Sequence, residues 1–199
     1  MIAVDVETSG TNPDKHSILA IGAVDIRNPT NQFYDECRAW DGAHAEERAL
    51  EITGFTEAEI RDPSKKSEGQ AVAAFIAWAK DIPDWTFVGQ NPSFDRDFLE
   101  AACERNHMEF PFAHRTLDTH TMAYMHMLSR GITPPFDPKK RHTTLNLDGV
   151  LRYVGVPEEP KPHNALTGAL CHAEAASRLL YGRLLLSEFE SYRLPWSSS

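Results

Sequence analysis

Cysteine is scarce and poorly placed for cross-links: the 199-residue sequence holds three, Cys37, Cys103 and Cys171, widely spaced and with no CxxC pair. An odd, scattered set excludes a disulfide framework and a structural zinc site, so a reducing, cytoplasmic setting is the expectation. Long apolar runs are missing as well. None approaches the roughly 20 residues of a membrane span, and the opening "MIAVDVE" has neither a basic stretch nor an apolar signal core. A membrane partner and a processed leader are therefore not expected. Positive charge is also short, with 20 Lys and Arg against 29 Asp and Glu and a net charge of −9, which excludes a broad electrostatic grip on a polyanion. Two local exceptions stand out, Arg61 with Lys65 and Lys66, and the run Lys139, Lys140, Arg141, His142. By composition alone each reads more readily as solvated surface than as a binding patch. Internal repeats and low-complexity tracts are absent.

What is present is a length suited to one domain, residues 1–199, with a tail from about 190 expected to fray. "IAVDVE" alternates Ile2, Val4 and Val6 with Ala3, Asp5 and Glu7, the period of a strand, which puts the two carboxylates on one face. Strand-like runs at 17–26 and 32–40 flank the turn "RNPTN" and predict a hairpin. Helical segments follow at about 45–53, ended by Gly54, and at 69–81, before a short strand "TFVG". In "GQNPSFDRDFLEAACERN", Asn91 is the expected N-cap and Pro92 the first helical residue, with Asp95, Leu99 and Ala102 on one face. A strand near "RTLDT", a helix through Met122–Leu128 and the loop "GITPPFDPKKRHTT" come next. A helix ended by Gly155 and a long final helix from His163 complete the pattern. Strands first and then interleaved helices predict an α/β fold, a mixed central sheet of about five strands flanked by helices.

Asp5 and Glu7 alone could be a polar strand edge, and Asp95 alone an ordinary acid at a helix start. As a set they read differently. Strand ends that meet helix starts are where an open α/β sheet forms its site, and His163 opens a third such element. Three converging carboxylates repel and raise one another's pKa unless hard cations hold them. Oxygen-only ligands favour Mg²⁺ or Mn²⁺, and two such ions suit in-line hydrolysis of a phosphodiester. A histidine beside them can take the proton of the attacking water.

The stretches "DVETSGT", "GQNPSFDRDFL" and "HNALTGA" resemble, in order and spacing, the three motifs of the DEDDh family of 3′-5′ exonucleases, and "EITGFT", "TLDTHTMA" and "LNLDGVLRYVGV" extend the likeness along most of the chain. The resemblance implies a ribonuclease H-like fold and two Mg²⁺ or Mn²⁺ ions. Its implied partner is the 3′ end of single-stranded or frayed DNA or RNA, from which nucleoside monophosphates are released. Asp5, Glu7 and Asp95 become metal-binding acids and His163 the general base. Thr8 is placed by the same resemblance in the terminal-nucleotide pocket, which Asn91 would help to shape. Phe55 and Phe94 are candidates to stack on bases. Relatives that dimerise or serve as polymerase subunits leave a homodimer or a polymerase partner open.

The family's fourth acid stands five residues after the histidine, and here that residue is Gly168. Glycine costs about 1 kcal/mol relative to alanine within a helix, so the position is poor for the fold as well as short of a ligand. Severely reduced activity is the expectation. Gly168 is then either an inactivating substitution in an otherwise ordinary nuclease or the mark of a non-catalytic module that binds nucleic-acid ends. Rescue by His172, one turn further on, is disfavoured because imidazole suits Mg²⁺ badly. Gln90 stands where many relatives carry histidine.

Overall fold

The computed structural model describes residues 1–196; Ser197–Ser199, part of the tail expected to fray, lie outside the described residues. A five-stranded sheet in the order β3-β2-β1-β4-β5 forms the centre, from β1 (Ile2–Thr8), β2 (Ile18–Asp25), β3 (Gln32–Glu36), β4 (Phe87–Gly89) and β5 (Leu117–Asp118). The first three strands form an antiparallel meander, whereas β4 and β5 run parallel to β1. The helices are α1 (Glu47–Thr53), α2 (Glu57–Ile60), α3 (Glu68–Ala79), α4 (Ser93–Arg105), α5 (Thr119–Ser129), α6 (Leu147–Val154) and α7 (Ala165–Tyr181). This is the mixed α/β architecture expected from the sequence, and its fold is ribonuclease H-like.

The alternation of β1 decides what each face of the sheet holds. Ile2, Val4 and Val6 point to α3 and α4 and join Ile21, Ala23, Phe75, Phe87, Phe98 and Leu99 in the main core. Phe112 closes it, its ring 5.0 Å from Phe75 and 4.8 Å from Phe87. The opposite face belongs to α7, whose Ala169, Ala173 and Ala176 pack on Ala3, Val24 and Val88. Small residues on both sides bring that helix close to the sheet. At Gly22, paired with Asp5 across the β1–β2 ladder, a side chain would run into the Ala165 backbone. Asp5 and Glu7 lie on this second face, beneath the start of α7.

Several local expectations change. Helix α4 begins at Ser93 with Pro92 as N-cap, not at Asn91. Asn91 adopts φ 53°, its N–H donating to Asp118 Oδ1 at 3.1 Å, so it belongs to the turn before the helix. The proline-rich loop contains a small hairpin of β6 (Phe136–Asp137) and β7 (His142–Thr143). Helix α2, too short to show a period in the sequence, has its start capped reciprocally by Thr56 and Glu59. The tail is held as far as Trp196, whose ring lies 4.4 Å from that of His126. Buried Arg178 secures its approach, pairing with Glu174 at 2.6 Å and donating to the Tyr192 carbonyl at 2.8 Å. No helix among the described residues is long and apolar enough to cross a membrane.

Candidate active site

The site begins where β4 stops accompanying β1. The two strands pair only at Ile2↔Phe87 and Ala3↔Val88, which leaves the N–H of Val6 without a strand partner on that side. Asp95, 3% exposed at the start of α4, takes it: Val6 N–H donates to Asp95 Oδ1 at 2.9 Å. Two elements distant in sequence are thereby joined by one of the site's own carboxylates. Glu7 follows, buried, with Oε1 lacking any hydrogen-bond partner. The β1–β2 register shifts between Glu7 and Thr8, and the Thr8 hydroxyl donates to the Gly10 carbonyl at 2.7 Å.

Gly168 lies directly above Asp5. A Cβ there would clash with the Asp5 carboxylate, at Oδ2 and Cγ, and not with backbone. With the Asp5 side chain in this position only glycine fits, and any larger residue must push that carboxylate aside, whereas at Gly22 on β2 the obstacle is helix backbone. Asp5 thus lies under Gly168, Glu7 and Asp95 stand at the same end of β1, and His163 is in the turn before α7. The side chain of His163 is 36% exposed, with Nδ1 3.6 Å from Glu159 Oε2, and its N–H donates to the Ile52 carbonyl at 3.0 Å.

Glu159 is a site residue that the sequence pattern does not mark. It lies in "PEEPKP", which reads as a linker, yet it is 7% exposed between exposed Glu158 and Pro160. A proline-rich segment has no periodicity to mark an inward residue; the signal available was a glutamate four residues before the key histidine. Ligand atoms of Glu7, Glu159 and His163 lie within 4.8 Å of one another.

Electrostatically this cluster is loaded. Burial, then Asp95, Glu7 and Glu159, push the Asp5 carboxyl well above the usual range. Burial raises Glu7 to about 7, with Glu159 adding to it, and raises Asp95 to about 8 despite the Val6 hydrogen bond. Glu159 is raised to about 7 by burial and by Asp148. His163 is lowered by burial and Lys161, so its imidazole is held neutral. Acids gathered without a neutralising base, two of them with an unpartnered buried oxygen, fit a hard divalent cation.

Two cavities flank Glu7. One, of about 450 Å³, is lined by Glu7, Thr8, Arg48, Ile52 and Phe94 among others; the second, of about 240 Å³, includes Tyr34, Phe55, His163 and Asn164. Thr8 and Phe94 therefore share a pocket beside the carboxylates. Phe55 borders the second, under the Lys65 ammonium at 4.8 Å from its ring centroid. Asn91 lines neither: its side chain is exposed and its Oδ1 accepts from the Ser93 hydroxyl at 3.0 Å. A cavity of about 980 Å³ lies beyond the opposite end of β1, against Met1, Asp84 and Arg183, and contains none of these groups. His172 is also outside the site. It is buried with Nδ1 3.1 Å from the Val4 carbonyl, and burial lowers it to about 4. Gln90 has a bracing role, donating to the Leu145 carbonyl at 3.2 Å and accepting from the Thr119 hydroxyl at 3.1 Å.

The basic clusters separate. Lys65 and Lys66 pair with Glu36 and Asp35, and Arg61 with Glu57, so this group is neutralised surface. Lys139, Lys140 and Arg141 are exposed on the β6–β7 hairpin and have no ion-pair partner among the described residues.

Comparison with known proteins supplies the family. An exonuclease family model, that of the ribonuclease T type, matches residues 2–175. Ribonuclease T of Hahella chejuensis is 32% identical, over 71% of this chain and 75% of its own. For Ribonuclease T of Vibrio parahaemolyticus the figures are 31%, 61% and 64%, so the chain spans slightly under two thirds of that relative. The 3′-5′ DNA exonuclease Cap18 of Escherichia coli is 32% identical over 62% of the chain. Among solved structures, the nuclease domain of 3′hExo, a DEDDh family member bound to rAMP, superposes with a TM-score of 0.68 at 17% identity, covering 93% of both chains. E. coli exonuclease I in complex with a dT13 oligonucleotide superposes with a TM-score of 0.69 at 20% identity, over 89% of this chain and 40% of that one. The chain belongs to the ribonuclease T-type exonuclease family.

Proposed function

We propose that the protein is a metal-dependent 3′-5′ exonuclease that hydrolyses phosphodiester bonds at the 3′ end of single-stranded or frayed DNA or RNA, releasing nucleoside monophosphates. The observation that carries this reading is the burial of Glu7 and Asp95 beside Asp5 at one strand end, with Glu7 Oε1 unpartnered. Two divalent ions bound there by Asp5, Glu7 and Asp95 would activate water and stabilise the leaving oxygen. Asp95 fixes the end of β1 through Val6 while keeping its second oxygen for the site. His163, neutral and partly open to solvent, accepts a proton from the attacking water. The cavity beside Thr8 accepts the terminal nucleoside, with Phe94 as a stacking surface and Arg48 at its rim. Lys139, Lys140 and Arg141 meet the backbone further along the strand, which offsets the acidic surface locally.

Gly168 withholds one carboxylate, and the reading assigns this chain lower activity than a Gly168→Asp version. The contrasting reading, an end-binding module without catalysis, also draws on Gly168. The two separate in a gel assay of 5′-labelled single-stranded DNA and RNA with Mn²⁺. Stepwise shortening from the 3′ end, faster in Gly168→Asp, supports the exonuclease; tight binding with no shortening by either protein supports the module.

A further inference from the structure

We infer that Glu159 supplies the carboxylate that Gly168 withholds and binds the divalent cation with Asp5 and Glu7. This rests on the exonuclease reading and deepens it at the same site.

A glutamate turned inward from an exposed, proline-rich segment needs a reason, since burying a charge is costly unless a partner of opposite sign meets it. Glu159 has no cationic partner among the described residues, because His163, 3.6 Å away, is held neutral. The other charged groups around it are acids, Asp148 on α6 together with Asp5 and Glu7 on β1. Its Oε1 is buried and unpartnered, and so is Oε1 of Glu7. Two orphaned carboxylate oxygens on facing side chains are the donor set a hard cation takes up. The Gly168 position offers no oxygen, and the room above Asp5 is filled by that residue's own carboxylate. A fourth carboxylate is thus missing from one turn of α7 and present on the segment that leads into the same helix. Were Glu159 only to orient His163, one oxygen would face the imidazole and the other could reach solvent; instead the second is buried, and a Glu159 ligand atom lies within 4.8 Å of one from Glu7 and one from His163.

Mn²⁺ titration of the full metal-free chain by calorimetry, with electron paramagnetic resonance counting bound ions, tests this. Loss of even a partner that orients a ligand costs about 10–100-fold in metal affinity, so Glu159→Gln should weaken Mn²⁺ binding at least about tenfold. Glu159→Asp should lose less, and adding Gly168→Asp to Glu159→Gln should restore binding. In EDTA, Glu159→Gln should melt no lower than the parent chain, because it relieves repulsion. Unchanged Mn²⁺ affinity in Glu159→Gln, with affinity lost in Asp5→Asn, would overturn the inference and leave the exonuclease reading standing. Weakened binding accompanied by lower melting in EDTA, and not restored by Gly168→Asp, would also overturn it. No Mn²⁺ binding by the parent chain, together with no cleavage, would overturn both.

Discussion

The two faces of β1 are built from the same seven residues yet do opposite work. On one, Ile2, Val4 and Val6 disappear into an aromatic core in which every group is satisfied by contact. On the other, Ala3 admits α7 closely, and Asp5 and Glu7 are then packed beneath that helix with Asp95 and Glu159. The first face stabilises the fold. The second is held together at a cost, and the whole sheet has to bear it. A strand can do both because its side chains alternate, so a shift of register by one residue would exchange the two.

Asp5→Asn breaks the second face most severely. Activity should fall by more than about 100-fold, the upper end of what loss of a ligand's orienting partner costs, while the melting temperature in EDTA rises; initial rates and thermal melts check the pair. On the first face the same strand should respond only through stability. Phe75→Ala, beneath Val4 and Phe87, should destabilise by about 3–5 kcal/mol, measured by urea unfolding.

The cost of the acidic face should also appear in its pH dependence. In the folded metal-free protein Glu7 and Glu159 hold protons to about 7 and Asp95 to about 8, whereas unfolded carboxyls release them near about 4. Between these limits the folded state binds more protons, so stability falls as pH rises. The contribution is complete below about pH 4 and lost through about pH 7–8. Melting in EDTA should drop by at least about 5 °C between pH 5 and pH 8.5, and saturating Mn²⁺ should remove most of that drop. A flat EDTA profile would show that the acids are solvated.

Gly168→Asp sharpens the comparison further. The new side chain must displace the Asp5 carboxylate and adds a charge, so in EDTA it should cost about 1–3 kcal/mol, as overpacking does. With Mn²⁺ the order of stability should reverse. The smallest effect belongs to the hairpin. Lys139→Ala, Lys140→Ala and Arg141→Ala together should weaken oligonucleotide binding and lower the salt slope by about 0.7 for each phosphate no longer neutralised, read from fluorescence anisotropy at several salt concentrations.

Much of the acidic face is legible in the chain without the fold. Asp5 and Glu7 share a face because a strand alternates, and Asp95 and His163 sit at helix starts marked by proline, asparagine and apolar spacing. Glu159 is not legible in that way. Its inward turn is set by the path of an irregular segment, for which sequence carries no period. Asn91 departs from expectation for a related reason: an asparagine before a proline is a good cap by local chemistry, but here the backbone turns left-handed to meet Asp118 across 27 residues. The pairing of Lys65 and Lys66 with β3 acids, and the anchoring of Trp196 on His126, are likewise long-range contacts that local composition does not announce.

The most direct test is a time course of 5′-labelled single-stranded DNA and RNA oligonucleotides with Mn²⁺, comparing the parent chain, Gly168→Asp and Asp5→Asn. A ladder that shortens one nucleotide at a time from the 3′ end, slower in the parent than in Gly168→Asp and absent in Asp5→Asn, is the predicted result. Intact oligonucleotide with both the parent and Gly168→Asp would contradict the assignment of this carboxylate cluster to phosphodiester hydrolysis.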